Sequence, residues 1–180
     1  MRTRNLILTG LFAALTAVGA LIIIPLPFSP VPITMQIFFT LLAGIILGSK
    51  YGALSQLVYL LIGGIGLPVF AGGGAGFQNL VGPTSGFLWG FVLAAFIIGL
   101  ISETRSTSLG VDIFAMALGL VLIYSLGVLS LHLVAGYTFL QAFMIGVLPF
   151  VIGDILKLVV AAILKQQLVK RIPFLFEKID

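Results

Sequence analysis

Cysteine is absent from the 180 residues and histidine occurs once. This excludes disulfides, thiolate nucleophiles and Cys-ligated metals, and His132 has no His, Glu or Asp partner at metal-ligand spacing. No serine stands in a Gly-x-Ser-x-Gly context, so a hydrolase site is unsupported. Charge is just as scarce. Asp, Glu, Lys and Arg make up 8% of the chain, against about 25% in an ordinary soluble domain, which is too little to coat a water-facing surface.

What fills the chain instead is apolar. Hydrophobic residues account for 61%, with a mean hydropathy of +1.30. At about 20 residues per helical span, the length accommodates roughly six spans and no appended soluble domain. The sequence therefore predicts an all-α integral membrane protein, a single membrane domain over residues 1–180. Stretches bounded by Pro, Gly and charged residues place the spans at 6–24, 33–47, 52–70, 85–102, 111–134 and 148–170. The segment from Thr138 to Leu148 is apolar enough to form a half-helix. Arg2 and Arg4 ahead of an apolar run resemble a signal peptide, but the chain stays equally apolar afterwards, so this run is expected to be an uncleaved first span.

The formal net charge of +4 forms no basic stripe of the kind nucleic acid requires. It reports topology. Under six spans, Arg2, Arg4, Lys50, Arg105, Lys165, Lys170, Arg171 and Lys178 all fall on one side. The opposite loops, 25–32, 71–84 and 135–147, carry no charge of either sign. Positive charge concentrates on the cytoplasmic side, so both termini are expected to be cytoplasmic.

The ninth cation, Lys157, lies inside the sixth span, three residues after Asp154. Either ion alone costs about 2.5 to 3.5 kcal/mol on insertion scales, and the i, i+3 spacing puts both on one face. They are expected one to two turns below the external surface. A carboxylate accepts N–H donors and an ammonium donates to carbonyls, so the pair suits a small polar ligand carrying both groups. A helix-packing ion pair and proton coupling through Asp154 are the alternatives. Gln36 and Gln56 lie inside spans and should face the bundle interior, with Tyr59 on the same face as Gln56. The segment from Ala71 to Asn79 is glycine-rich but has no Lys, so it is not a P-loop. It is expected to be either a turn or a lid. Phe87 and Trp89 fall near the outer interface, as does His132. Ala13 and Ala17, four apart, allow close helix approach, either within this bundle or to a partner.

These residues sit in several motifs that occur together: Val31 to Gln36, Leu41 to Gly48, Gly52 to Leu60, Gly66 to Gly74, Gly82 to Phe87 and Pro149 to Lys157. In that order they resemble the BioY family, the biotin-binding membrane subunit of energy-coupling-factor (ECF) vitamin transporters. The resemblance covers nearly the whole chain. It implies a six-helix substrate-capture subunit, an S component, that binds biotin from the external side of a prokaryotic cell membrane. Asp154, Lys157 and Asn79 match positions that contact the vitamin. Gln56, Tyr59 and Gly73 lie in motifs lining the same cavity, and Gln36 and Phe87 complete the expected substrate-binding set. Ala13 and Ala17 match the surface offered to a transmembrane coupling subunit, which itself recruits two ATP-binding subunits. Some members carry a cation after the Gly82-Pro83 motif, whereas residues 86–101 here have none, leaving the holder of the biotin carboxylate unassigned. No Walker motif is present, so ATP would be hydrolysed by partners, and no cofactor or metal is expected in this chain. A stand-alone facilitative or proton-coupled biotin carrier, an intramembrane enzyme on Asp154 and Lys157, and a structural membrane subunit are the other readings.

Overall fold

The computed structural model describes residues 2–104 and 108–172. Arg105 and Lys178, two of the cations in the charge sorting, lie outside the described residues. The architecture is helical: α1 (Arg2–Leu21), α2 (Gln36–Gly64), α3 (Gln78–Val81), α4 (Ser85–Thr104), α5 (Leu109–Ala135), α6 (Phe139–Gly146) and α7 (Val151–Arg171). A short antiparallel ladder, β1 (Ile23–Ile24) with β2 (Ile33–Thr34), closes the α1–α2 connection. Among the described residues, four helices are long and apolar enough to cross a membrane, and α6 with α7, bent by 52°, makes a fifth candidate if taken as one span.

The ladder departs from the spans expected at 6–24 and 33–47. Pro25, Pro27, Pro30 and Pro32 fix φ and remove N–H donors, so the chain cannot stay helical between them, and the flanking Ile and Thr residues suit an extended strand. The span expected to reach residue 70 also stops early, at Gly64. Gly66, at φ 113°, takes the chain out of the helix, and Pro68 prevents its return. Residues 148–150, expected inside the last span, form a turn around Pro149 before α7 begins.

Helix α2 is not straight. Gly48 sits at φ 78°, ψ −177°, a conformation open to glycine alone among common residues. The Thr40 hydroxyl donates to Gln56 Oε1 at 3.2 Å, across 16 residues. In a straight helix those residues would be about 24 Å apart, so residues 36–47 and 49–64 run antiparallel as two arms. The turn between them is held by α4: the Glu103 carboxylate accepts the Ser49 N–H at 2.7 Å and its hydroxyl at 2.9 Å.

Helix α4 packs against both arms of α2 and along α5. Backbones touch there through glycine. A Cβ on Gly99 would collide with the backbone at Ser49, and one on Gly86 with the Leu126 carbonyl. With lipid no less apolar than the core, such close backbone approach is the main source of helix association.

Lys165, expected among the cations closing the chain on the cytoplasmic side, is 1% exposed. Its ammonium reaches both oxygens of Asp112, at 3.0 and 2.8 Å, and Gln166 donates to the same carboxylate at 2.7 Å. A second buried ion pair thus joins α7 to the first turn of α5. Removing one partner leaves an uncompensated buried charge. Asp112→Ala should therefore cost about 3 to 5 kcal/mol, read as a fall in the melting temperature of the detergent-solubilised protein. Asp112→Leu combined with Lys165→Met should recover most of that loss. Gly99→Ala should destabilise by about 1 to 3 kcal/mol through overpacking, whereas Gly10→Ala, with nothing within 4 Å of its Cβ position, should not lower the melting temperature.

Candidate functional site

A cavity of about 220 Å³ opens at the end of the bundle that holds the α1–α2 connection and the start of α7. The α1–α2 connection contributes Pro30, Val31, Pro32 and Thr34, and the first arm of α2 adds Gln36 and Ile37. Phe70 and Ala71 come from the next connection and Asn79 from α3. Helix α4 supplies Phe87, Leu88 and Phe91 just after Thr84, and α5 supplies Tyr124. Phe150, Asp154 and Lys157 complete the lining from the start of α7. The walls are aromatic and aliphatic, and a few polar groups converge among them, which is the usual composition of a small-molecule site.

Asp154 is the polar centre of this lining. It is 1% exposed, and both its oxygens are engaged. Lys157 donates to Oδ1 at 2.7 Å and the Tyr124 hydroxyl donates to Oδ2 at 2.6 Å. Lys157 also donates to the Thr34 carbonyl at 2.7 Å. An ammonium has three donors, so among the described residues one Lys157 N–H is left for a ligand. Each Asp154 oxygen likewise keeps acceptor capacity beyond its single bond.

The polar chain continues away from the cavity. The Thr34 hydroxyl donates to Gln36 Oε1 at 3.0 Å, Gln36 Nε2 donates to the Tyr59 hydroxyl, and that hydroxyl donates to the Val69 carbonyl at 3.1 Å. Asn79 donates to the Ala75 carbonyl at 2.7 Å, which fixes its amide at the rim. The glycine-rich segment folds as a short 3₁₀ turn, Ala71–Gly73, closed by the Phe70 and Gly74 pairing.

Of the residues expected to bind substrate, Asp154, Lys157, Asn79, Gln36 and Phe87 meet in this lining. Gln56, Tyr59 and Gly73 are not part of it. Gln56 is fully buried between α1 and the arms of α2, accepting from Thr40 and donating to Thr16 and Ser55. Tyr59 is 1% exposed and stands behind Gln36. Gly73, at φ 78°, shapes the turn whose Ala71 lines the cavity. Trp89 lies outside, its indole N–H on the Leu80 carbonyl, and His132 is bonded to the Tyr137 carbonyl and stacked on Phe139. No cluster of three metal-ligating side chains occurs among the described residues. On α1, Ala13 is buried at 2% exposure, Ala17 is half-buried, and Gly10 and Ala14 are exposed.

Of the lining residues the sequence reading missed, such as Phe70, Phe91, Tyr124 and Phe150, Tyr124 is the one whose side chain bonds Asp154. A tyrosine hydroxyl inside an apolar span needs a partner, which is a usable signal, but its partner Asp154 is 30 residues away on another helix. The Thr34 carbonyl, as a backbone group, carries no sequence signature at all.

The sequence model of the BioY family matches residues 1–174. The biotin transporter BioY of Thermotoga maritima is 47% identical over 167 residues, 93% of this chain and 96% of that protein. The biotin transporter BioY of Rhizobium etli is 42% identical over 185 residues, 97% of this chain and 98% of its own. The crystal structure of the S-component for biotin from an ECF-type ABC transporter superposes with a TM-score of 0.86 at 27% identity. That match covers 94% of this chain and 93% of the other. In sequence along nearly its full length and in fold, this chain belongs to the BioY family.

Proposed function

We propose that this chain is the membrane-embedded biotin-capture subunit of an ECF-type ATP-dependent importer. The observation that carries the reading is the Asp154 and Lys157 pair set among aromatic walls. Biotin's ureido ring offers two N–H donors and one carbonyl, complementary to the spare acceptor sites of Asp154 and the spare Lys157 proton. Its thioether ring and aliphatic chain suit Phe70, Phe87, Phe91 and Phe150. Asn79 and Gln36 supply further polar contacts at the cavity margin. Gln56, Tyr59 and Gly73 support the site from behind.

In this reading α1, the two arms of α2, α4, α5 and α7 are six crossings of the plasma membrane in one domain. Both termini are cytoplasmic and the cavity opens to the outside. That polarity agrees with the uncharged loops at the cavity end and with Lys50, Lys170 and Arg171 at the other. The chain binds no cofactor and has no ATPase site of its own. Energy comes from two ATP-binding subunits through a transmembrane coupling subunit. The docking face is the exposed side of α1, where Gly10, Ala14 and half-buried Ala17 are available, while Ala13 packs within the bundle. A stand-alone proton-coupled carrier is less well supported, because Asp154 already accepts from both a cation and a hydroxyl and so serves as a fixed acceptor.

Titration calorimetry of the purified protein in detergent should show selective biotin binding, with riboflavin and thiamine giving no heat. Lys157→Ala should weaken that binding by about 1 to 3 kcal/mol, the worth of a hydrogen bond to a charged group. Unchanged affinity would remove Lys157 from the site. Ala14→Trp should abolish uptake in cells that supply the coupling subunits while leaving the affinity of the purified protein as it was. Uptake surviving both Ala14→Trp and Ala17→Trp would place docking elsewhere.

A further inference from the structure

We infer that Tyr124 is a positioning residue for ligand recognition: it orients the Asp154 carboxylate, and this role rests on the biotin-capture reading. Helix α5 contains three hydroxyl side chains beyond its cap. Ser125 bonds back to the Val121 carbonyl of its own helix, and Ser130 bonds to the Gly127 and Pro83 carbonyls. Tyr124 reaches across to a side chain of α7, at 2.6 Å.

Two-point attachment is what makes that bond consequential. Lys157 lies on the same helix as Asp154, three residues on, and holds Oδ1. One anchored oxygen still lets the carboxylate plane turn about the Cβ–Cγ bond, since such terminal torsions have broad minima. The second anchor comes from a different helix and fixes the plane. The remaining acceptor positions then point in set directions before any ligand arrives, so binding loses less side-chain freedom. A ligand presenting N–H donors in a rigid planar ring gains most from a pre-oriented acceptor. A bond from an uncharged hydroxyl also adds no competing charge, leaving Lys157 as the cation of the pair.

A double-mutant cycle on the purified full-length chain tests this, with biotin affinity measured by competition against labelled biotin for the native protein, Tyr124→Phe, Asp154→Asn and the combination. Tyr124→Phe keeps the ring and its packing, so the protein should still fold, with its melting temperature lowered only by the loss of one hydrogen bond to a buried carboxylate. Biotin affinity should fall about tenfold to a hundredfold, the scale of a hydrogen bond to a charged group. In the Asp154→Asn background the same change should cost little or nothing further, because Tyr124 acts through the carboxylate. Losses that simply add would overturn the positioning role, as would a Tyr124→Phe protein that binds like the native one. Native protein that failed to bind biotin would instead overturn the capture reading and this inference with it.

Discussion

An ion pair inside an apolar bundle is cut off from bulk water, so each lone pair and proton that does not face the cavity must be met by the protein. The Asp154 and Lys157 pair meets that constraint by recruiting neighbours. Tyr124 from α5, the Thr34 carbonyl from β2 and, through Thr34, the Gln36 and Tyr59 side chains of α2 all point their polar groups along one line. The line ends on Val69, in the connection that also shapes the glycine-rich turn. The cavity is therefore the place where a network, otherwise saturated, keeps a donor and acceptors unspent.

The rest of the fold serves to hold that network still. Helix α4 lies between α2 and α5, and glycine lets its backbone touch theirs at Gly99 and Gly86. Glu103 secures the turn at Gly48 from the far end of α4. The same helix thus carries Phe87 and Phe91 into the cavity wall and, from its other end, clamps the turn in the middle of α2. Gln56 repeats the logic deeper in the bundle, joining Thr16 of α1 to Thr40 of α2, so three helical segments share one amide.

Much of this was legible in the residues. Scarce charge and long apolar runs announced membrane helices, and Asp154 with Lys157 stood out because two ions in an apolar run demand a reason. Asn79, Gln36 and Phe87 were found through motifs and do meet at the cavity. What escaped were relations between distant segments. Lys165 was sorted among the cations near the chain end and Asp112 drew no reading at all, and nothing in either neighbourhood reveals a bond across 53 residues. Tyr59 and Gln56 were rightly judged to face inward, yet inward has depth, and periodicity does not tell a cavity wall from the layer behind it. The same holds for α1, where a one-residue step along the helix, about 100° of turn, separates buried Ala13 from exposed Ala14.

Helix α7 carries charge near both of its ends, and each end is fastened to α5. Asp154 meets Tyr124 at one and Lys165 meets Asp112 at the other, while Lys157 ties the first to β2. A piston stroke or a twist of α7 would have to break both fastenings at once and strand charge in the membrane interior. The helix is in effect a bolted strut. Any reshaping of the cavity falls to the segments that no charged group holds, the proline-rich connection at 25–32 and the glycine-rich one at 65–77, tied by single hydroxyl bonds from Ser29 to the Ile145 carbonyl and from Tyr59 to the Val69 carbonyl.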